Sequence, residues 1–451
     1  MEHDLAVRGN IVLPNGVAED GWLTAHDGRI TGIDRPAASP PRAAHIIDAG
    51  GKWVLPGGID AHVHSGSSAE HTEGFTRLTQ AAALGGVTTV IDMPYDASRP
   101  VTTIERLQEK IEEVESTCVV DAALFGTVSK HDGWKQIIPL ARGGVCGFKF
   151  STYETDPLRF PKIDDYELIK IFKEAQKTDR TVSFHAENGE IIDPLIEELG
   201  PLGEEHPEAH CWSRPPLSET TAVAKLLEIA RCSPVKLHIV HLTVPFAYDL
   251  IDWYREAGVD VTAETCTQYL VLDESHLRSL KGRAKCNPPL RHCSDVEELW
   301  EKLFSGSLDF VTSDHAPWPE SAKLHDNIFD NSSGLPGVGH LVPVLYDQAV
   351  ARRGVDIVHF GRLIATNPAK RYDLYPRKGA LIVGADADIT IIDPAANVTV
   401  DASTSPSTAN WSPFDGMKLQ GKVEMTVVRG EPIVAAGRLQ AEPGYGRFVS
   451  P

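Results

Sequence analysis

The chain is poor in cysteine and methionine, with seven and four among its 451 residues. The cysteines are scattered, odd in number and without a Cys-x-x-Cys pair, which favours reduced thiols in a cytoplasmic protein over a disulfide framework. No run of about 18 apolar residues occurs, so we expect no membrane-spanning helix. The first residues also lack the basic and apolar regions of a signal peptide.

Positive charge is scarce as well. Lysine and arginine number 43 against 63 acidic residues, giving a formal net charge of -20. A surface of that sign repels nucleic acids and anionic membranes, so we expect neither as a partner. The chain is long enough for one large enzyme domain and a smaller one.

Both ends of the chain carry short strand patterns with turn signals. In the first 53 residues, Asn15-Gly16 and Asp27-Gly28 are hairpin dipeptides between apolar runs. Late in the chain, Ala387–Ile392 and Val423–Val428 are short apolar strands bounded by glycines. We therefore predict that residues 1–53 and 376–451 pair into one small β-sandwich domain.

Residues 54–375 alternate between strand and helix patterns. Such alternation within one domain predicts a parallel (β/α)8 barrel of the TIM type. An insertion from Glu187 to Leu217, after the fifth strand, is a candidate lid. The predicted strands are 58–64, 88–93, 121–128, 144–150, 180–186, 235–242, 259–265 and 308–314, and the predicted helices are 73–84, 102–116, 132–142, 164–178, 218–231, 246–257, 295–305 and 338–352.

Metal-ligand residue types recur at the carboxyl ends of these strands, where barrels of this kind carry their chemistry. A lone His-x-His pair is more often structural, and a lone strand-end lysine usually reaches solvent. Here, however, several such signals follow one another in the order of the strands. The residues are His62 and His64 after the first strand, Lys149 after the fourth, His185 after the fifth, His238 and His241 after the sixth, and Asp314 and His315 after the eighth.

Alternation of side chains along a strand selects among these candidates. His238 and His241 are three residues apart and should face opposite sides; we choose His241 because it lies nearer the carboxyl end of the strand, and we interpret His238 as a packing residue. Asp314 is preferred over His315, because a carboxylate both binds metal and carries a proton. For most of the remaining histidines we expect surface roles, namely His71, His131, His206, His210, His292 and His340.

Nearly the whole chain resembles the cyclic amidohydrolases, which include allantoinases, hydantoinases, dihydropyrimidinases and dihydroorotases. Any one matching motif would be weak, but the ligand positions match in the right order. The resemblance rests on Gly57–His64, Gly147–Lys149, His185–Asn188, Ile239–Leu242, Ala263–Tyr269, Asn287–Arg291, Ser313–His315 and Asn367–Lys370.

The resemblance implies a centre of two divalent metal ions, usually zinc. His62, His64 and Asp314 would hold the buried ion, and His185 and His241 the exposed one. Lys149 would carry a carboxyl group derived from carbon dioxide and bridge the two. An amine beside two cations is driven towards its neutral form, which is the form that reacts with carbon dioxide.

The resemblance also implies the reaction. A metal-activated hydroxide would attack the ring carbonyl of a cyclic amide or ureide, and Asp314 would carry the proton to the departing nitrogen. Tyr153 would donate its hydroxyl to the oxyanion. Asn287 and the backbone at Ser333 and Gly334 would contact the ureide edge of the substrate. Relatives are often homotetramers, so we expect a homo-oligomer.

The motifs divide between branches of the family. Asp92-Met-Pro94, Phe160–Asp165 and Ser412–Gly416 are most similar to allantoinases, whereas Cys266–Tyr269 is similar to hydantoinases and Asn287–Arg291 to dihydroorotases. The segment Ser151–Thr155 matches none of them well. We therefore predict an allantoinase-like hydrolase, with a hydantoinase, dihydropyrimidinase or imidase as the alternative. A catalytically silent scaffold and a dipeptidase-like amidohydrolase are the remaining candidates.

Overall fold

The structure is a computed structural model that describes residues 3–34, 40–66, 72–97 and 99–451. The strands form two sheets, one from the middle of the chain and one from its two ends. In chain order they are β1 (His3–Leu13), β2 (Gly16–His26), β3 (Arg29–Asp34), β4 (Ala43–Pro56), β5 (Gly58–Val63), β6 (Val87–Asp92), β7 (Asp121–Gly126), β8 (Gly147–Ser151), β9 (Thr181–His185), β10 (Leu237–Ile239), β11 (Val261–Cys266), β12 (Phe310–Thr312), β13 (Ile389–Thr399), β14 (Lys418–Val428), β15 (Glu431–Ala435) and β16 (Arg438–Leu439).

The helices lie mostly between the strands of the central sheet. None of those in the described ranges is long and apolar enough to cross a membrane. They are α1 (Gly74–Leu84), α2 (Ile104–Thr117), α3 (Ile137–Gly143), α4 (Asp165–Ala175), α5 (Gly189–Leu199), α6 (Ala209–Trp212), α7 (Pro216–Cys232), α8 (Pro245–Glu256), α9 (Thr267–Val271), α10 (His276–Leu280), α11 (Cys293–Ser305), α12 (Leu341–Leu345), α13 (Ile357–Gly361) and α14 (Asn367–Arg371).

The central sheet is the predicted TIM-type barrel. Its eight strands pair in parallel and in chain order from β5 to β12. A parallel bridge between Val63 and His315 then joins its two edges. Each of the eight predicted strands overlaps one of these, so the predicted (β/α)8 fold is confirmed. The predicted helix 338–352 is shorter, because its second half, Tyr346–Ala351, winds as a π-helix.

Barrel strands are covered on both faces, which explains their apolar sequences. Every residue of β7 is buried, for example. In β8, Phe148 and Phe150 pack in the large apolar core with Phe172 of α4. Lys149 lies between them and therefore faces the other side, towards the barrel interior.

The second sheet is built from both ends of the chain, as predicted. Its order is β16-β15-β14-β13-β4-β1-β2-β3, and antiparallel pairing of β13 with β4 joins the two ends. Leu5, Val54 and Ile389 are among the residues of its own small apolar core. The strand β4 of this sheet extends to Pro56. The domain boundaries after residue 53 and before residue 376 stay a prediction.

A buried ion cluster fastens the terminal domain to the barrel. The ammonium of Lys378 lies 2.5 Å from Asp121 of β7 and 2.6 Å from Asp388, beside β13. Burial alone lowers the pKa of Lys378, but the carboxylates around it outweigh that effect and raise it. These charged groups remain ionised although they are buried, because each has a partner of opposite charge.

Candidate metal centre

The six predicted ligands lie at the carboxyl ends of barrel strands. His62 lies within β5 and His64 follows it, Lys149 lies within β8, and His185 ends β9. A single residue separates each of the last two ligands, His241 and Asp314, from its strand, since β10 ends at Ile239 and β12 at Thr312. Strands of one parallel sheet end at the same edge, so these side chains converge.

The convergence is complete for the six predicted ligands. All of them line one cavity of about 310 Å³. The other residues around this cavity come from the loops that follow the strands. They are Tyr95, Thr155, Arg159, Phe160, Asn287, Ala316, Trp318, Ser332, Ser333 and Gly334.

Three of the predicted ligands form a tight group. The Oδ1 atom of Asp314 lies 3.2 Å from Nε2 of His62 and 3.2 Å from Nε2 of His64. Burial alone raises the pKa of Asp314, but the two imidazoles and Lys149 outweigh it and lower the pKa below its usual value. Burial lowers the pKa of His62 to about 3, which keeps the ring neutral. A carboxylate and two neutral imidazoles are suited to binding a divalent cation.

His185 and His241 form a second group beside the first. The Nδ1 atom of His185 lies 2.9 Å from Nε2 of His241. The ring centroids of His62 and His241 are 5.3 Å apart, so the two groups are neighbours. Burial lowers the pKa of His241 well below its usual value, and the ring stays neutral. The imidazoles of His185 and His241 are therefore the donors that a second cation in the same cavity would use.

Buried carboxylates hold the opposite nitrogens of two of these rings. Glu264 of β11 lies 2.7 Å from Nδ1 of His62, which leaves Nε2 facing the cavity. Glu187 lies 2.7 Å from Nε2 of His185, which leaves Nδ1 facing the cavity, and Arg214 donates to the same carboxylate. Carboxylates in this position fix the tautomer and orientation of a metal-binding imidazole.

Lys149 is buried against aromatic rings. Its Nζ atom lies 5.0 Å from the ring centroid of Phe160 and 5.6 Å from that of Tyr95. Burial lowers the pKa of this amine to about 8, although Asp314 and Glu264 oppose the change. Near neutral pH the neutral fraction of this amine is therefore larger than that of a free lysine, and a neutral amine is nucleophilic.

The backbone is left-handed at two of the predicted ligands. His241 has φ 41° and Asp314 has φ 47°, a region that non-glycine residues rarely adopt. This geometry ends the alternation of side chains that the prediction assumed beyond Ile239. The argument that His238 and His241 cannot both face inward is wrong for this reason. His238 stacks on Phe310, as a packing residue would, and also lies 3.2 Å from Glu264.

Some of the residues predicted to contact the substrate line the cavity, and one does not. Asn287, Ser333 and Gly334 line the cavity. Tyr153 is not among its lining residues, and its ring instead stacks 4.7 Å from the guanidinium of Arg214. Its role at the oxyanion stays a prediction.

The other histidines are mostly at or near the surface. His131 and His292 are exposed, and His206 and His340 are half-buried. His210 is the exception, because it is buried and lies 2.9 Å from the carbonyl oxygen of Cys286. His71 falls outside the described residues.

Sequence reasoning missed several residues of this site. Glu264 carried a signal, since it is a lone acid within an otherwise uncharged strand of a buried sheet. Tyr95, Arg159 and Trp318 carried none, because they lie in loops whose path depends on tertiary contacts, and Phe160 entered only as part of a motif similar to allantoinases. Residue type alone does not place a loop side chain in a cavity.

The donors present fit divalent metal ions. Imidazole nitrogens and a carboxylate are ligands that zinc and its neighbours prefer. The buried Nδ1 atom of His241 has no hydrogen-bond partner among the described residues. Its Nε2 atom contacts Nδ1 of His185. His62, His64 and Asp314 offer donor atoms that all lie within 4.8 Å of one another.

Comparison with known proteins agrees with this site. A family model described as "Amidohydrolase family" matches residues 53–433. The chain is 34% identical to an allantoinase of Bacillus licheniformis, with all of both chains covered. It is 33% identical to an allantoinase of Deinococcus radiodurans, covering all of this chain and 99% of that one.

Solved structures give the same result. The L-hydantoinase (dihydropyrimidinase) of Arthrobacter aurescens matches with a TM-score of 0.95 and 30% identity, over the whole of both chains. The dihydropyrimidinase of Brevibacillus agri matches with a TM-score of 0.90 and 26% identity, over 98% of each chain. The predicted family is confirmed: the chain belongs to the amidohydrolases and is a metal-dependent hydrolase that acts on the C–N bonds of cyclic amides.

Proposed function

We propose that the chain opens a cyclic ureide ring in the manner of an allantoinase. The observation that carries this proposal is the convergence of all six predicted ligands on one cavity of about 310 Å³. That volume lies at the lower end of small-molecule sites, as suits a compact ring. The relatives named allantoinase, at 33–34% identity over essentially full length, support the choice of substrate.

The metal centre would hold two ions, which we propose to be zinc. His62, His64 and Asp314 would hold one, and His185 and His241 the other, because the two groups face one cavity. When bound, paired cations lower the pKa of water and polarise a carbonyl. Glu264 and Glu187 would keep the ring nitrogens of His62 and His185 aimed at the ions.

Lys149 would be the bridging group. Its neutral amine would add to carbon dioxide, so that an N–C bond forms, one C–O π bond opens and one amine proton leaves to solvent. The resulting carbamate anion would offer carboxylate oxygens as metal ligands. The lowered pKa of the Lys149 amine, about 8, supports this step. Burial beside the rings of Tyr95 and Phe160 would limit the access of bulk water to such a carbamate.

Asp314 would move the proton. Its Oδ1 atom lies between the Nε2 atoms of His62 and His64, and its lowered pKa keeps it ionised as a base. It would accept a proton from the attacking water and pass it to the departing ring nitrogen. Proton transfer by such a positioned group contributes about 10²–10⁴ in rate.

Polar groups on the cavity wall would orient the ring. The Oδ1 atom of Asn287 is buried and has no hydrogen-bond partner in the described part of the chain, so it can accept a ring N–H. At Gly334 the N–H already donates to Lys285 and the carbonyl already accepts from Lys323. The backbone N–H of Ser333 is therefore a better candidate than that of Gly334 for a hydrogen bond to a substrate carbonyl. Tyr153 would need to leave Arg214 to reach the oxyanion.

A second candidate function is hydrolysis of hydantoins or dihydropyrimidines, with cyclic imides as a further option. The TM-score of 0.95 to the Arthrobacter aurescens L-hydantoinase favours it. The segment Cys266–Tyr269 also resembles hydantoinases more than allantoinases. The same cavity and proton carrier would serve either ring.

Compartment and assembly are part of the proposal. All seven cysteines are free in the structure, which supports a reducing compartment such as the cytoplasm. We further propose a homotetramer, in line with the resemblance to the cyclic amidohydrolases.

A substrate panel tests the proposed function. Purified, zinc-loaded protein is assayed with allantoin, hydantoin, dihydrouracil, dihydroorotate and succinimide. We expect ring opening with the highest kcat/KM for allantoin. Preference for hydantoin or dihydrouracil would favour the second candidate, and turnover of none of the rings would overturn the proposal.

Lys149→Ala should abolish turnover and lower the bound metal, because the bridge between the two groups is lost. Short carboxylic acids should restore part of the activity by occupying the space of the missing carbamate. Metal content by atomic emission and activity with added acetate or propionate are the measurements. Lys177→Ala, at an exposed pair with Glu174, is the control. Unchanged metal content in Lys149→Ala would argue against a bridging lysine.

Asp314→Asn should keep most of the metal and lower kcat by about 10²–10⁴, because an amide oxygen still ligates but cannot take up a proton. Steady-state kinetics beside metal analysis make the test. Asp165→Asn, a carboxylate exposed on α4, should behave as the unmodified protein. A near-normal kcat in Asp314→Asn would exclude this residue as the proton carrier.

A further inference from the structure

One wall of the cavity is tied together by a buried ammonium. The Nζ atom of Lys323 donates to the carbonyl oxygens of Lys285 (2.9 Å), Ser332 (2.6 Å) and Gly334 (2.9 Å). Its side chain is fully buried. An ammonium has three hydrogens, so all of its donors are used.

The acceptors belong to two segments that are far apart in sequence and meet at the cavity. Ser332 and Gly334 line it directly, and Lys285 is two residues before Asn287, which also lines it. The N–H of Gly334 donates to the carbonyl of Lys285 at 3.0 Å, which joins the two segments directly. Lys323 therefore connects both sides of this wall.

Neighbouring contacts also hold Ser333, which lies between the acceptors Ser332 and Gly334. The indole N–H of Trp318 donates to the carbonyl of Ser333 at 2.9 Å. A Cβ at Gly334 would lie 2.6 Å from that of Ala316, so the chain here is packed without spare room. The N–H of Ser333 belongs to the same planar peptide unit as the carbonyl of Ser332, so the hydrogen bond from Lys323 to that carbonyl restricts the direction of the N–H.

Burial of the Lys323 ammonium carries a free-energy cost, because the charged group loses its hydration. None of the ion pairs found among the described residues includes it, and burial lowers its pKa to about 7. Without a carboxylate partner, this buried cation loses its hydration and recovers only the hydrogen bonds and a contact with the ring of Trp411, whose centroid lies 5.7 Å from Nζ. An apolar side chain would avoid the loss of hydration but would leave these three carbonyl oxygens without their donor, so the hydrogen bonds to the loop are what the ammonium adds.

We propose that Lys323 is a positioning residue: it holds the Ser332–Gly334 segment so that the Ser333 N–H meets the substrate. This inference rests on the proposed function and deepens it, because it assigns the origin of substrate orientation to a residue outside the metal centre. Lys285 assists from the other side, since its ammonium donates to the carbonyls of Phe329 and Asn331 in the same loop.

The test is Lys323→Met with two readouts. Loss of the contact should raise KM by about tenfold and change kcat by less than about threefold, since a wall contact acts equally on the bound ground state and the transition state. Metal content should stay normal. Hydrogen exchange in substrate-free protein should speed up at Ser332–Gly334 and not in α11. An unchanged KM with unchanged exchange would overturn the proposal.

Lys378→Met is the matched control, because it also removes a buried ammonium but lies in the terminal ion cluster. It should lower stability and leave KM unchanged; an equal rise in KM would mean general loosening and would overturn a specific role for Lys323. Lys323→Arg, which keeps charge and donors, should recover part of the affinity.

If Lys323→Met does not fold, Lys323→Gln provides the test, since its shorter amide side chain keeps at most two of the three hydrogen-bond donors. A higher KM is expected, and an unchanged one would overturn the proposal. Should no ring in the panel be a substrate, the proposed function fails. The exchange readout still decides whether Lys323 orders the loop.

Discussion

The site depends on hydrogen bonds between buried carboxylates and imidazoles. Glu264 on His62 and Glu187 on His185 each occupy one ring nitrogen and thereby aim the other at the cavity. Without them, a buried ring could rotate and present a protonated nitrogen, which cannot bind a cation. Arg214 in turn compensates the charge of Glu187 and lowers its pKa, opposing the effect of burial. The orientation of the donors is therefore a property of the folded barrel.

The barrel supplies the rest of the constraint through its strand ends. His241 and Asp314 adopt left-handed backbone directly after short strands, and such conformations persist only where the surroundings enforce them. His315 shows how this is done beside Asp314. Its ring lies 2.6 Å from Glu73 and accepts the N–H of Gly337, so it anchors the chain on the side away from the cavity. Strain at the ligands is thus balanced by contacts outside the site.

Much of this could be predicted from sequence. Strand and helix alternation gave the barrel, and residue types at strand ends gave the six side chains that line one cavity. Those signals are local, and parallel pairing brings them together without further information. The reasoning from side-chain alternation failed at His238 and His241, because a backbone turn is not visible in a residue pattern, although the residue chosen as a ligand, His241, does line the cavity. It also missed Tyr95, Phe160 and Lys323, which reach the cavity or its wall through long-range packing.

The central claim is that two metal ions share the six predicted ligands. A crystal structure of the zinc-loaded protein, with anomalous data at the zinc edge, measures this directly. The account predicts two anomalous peaks in the cavity, one about 2.0–2.2 Å from His62, His64 and Asp314 and the other about 2.0–2.1 Å from His185 and His241. Density for a carboxylated Lys149 should lie between them. A single peak, or peaks bound by other residues, would contradict the account.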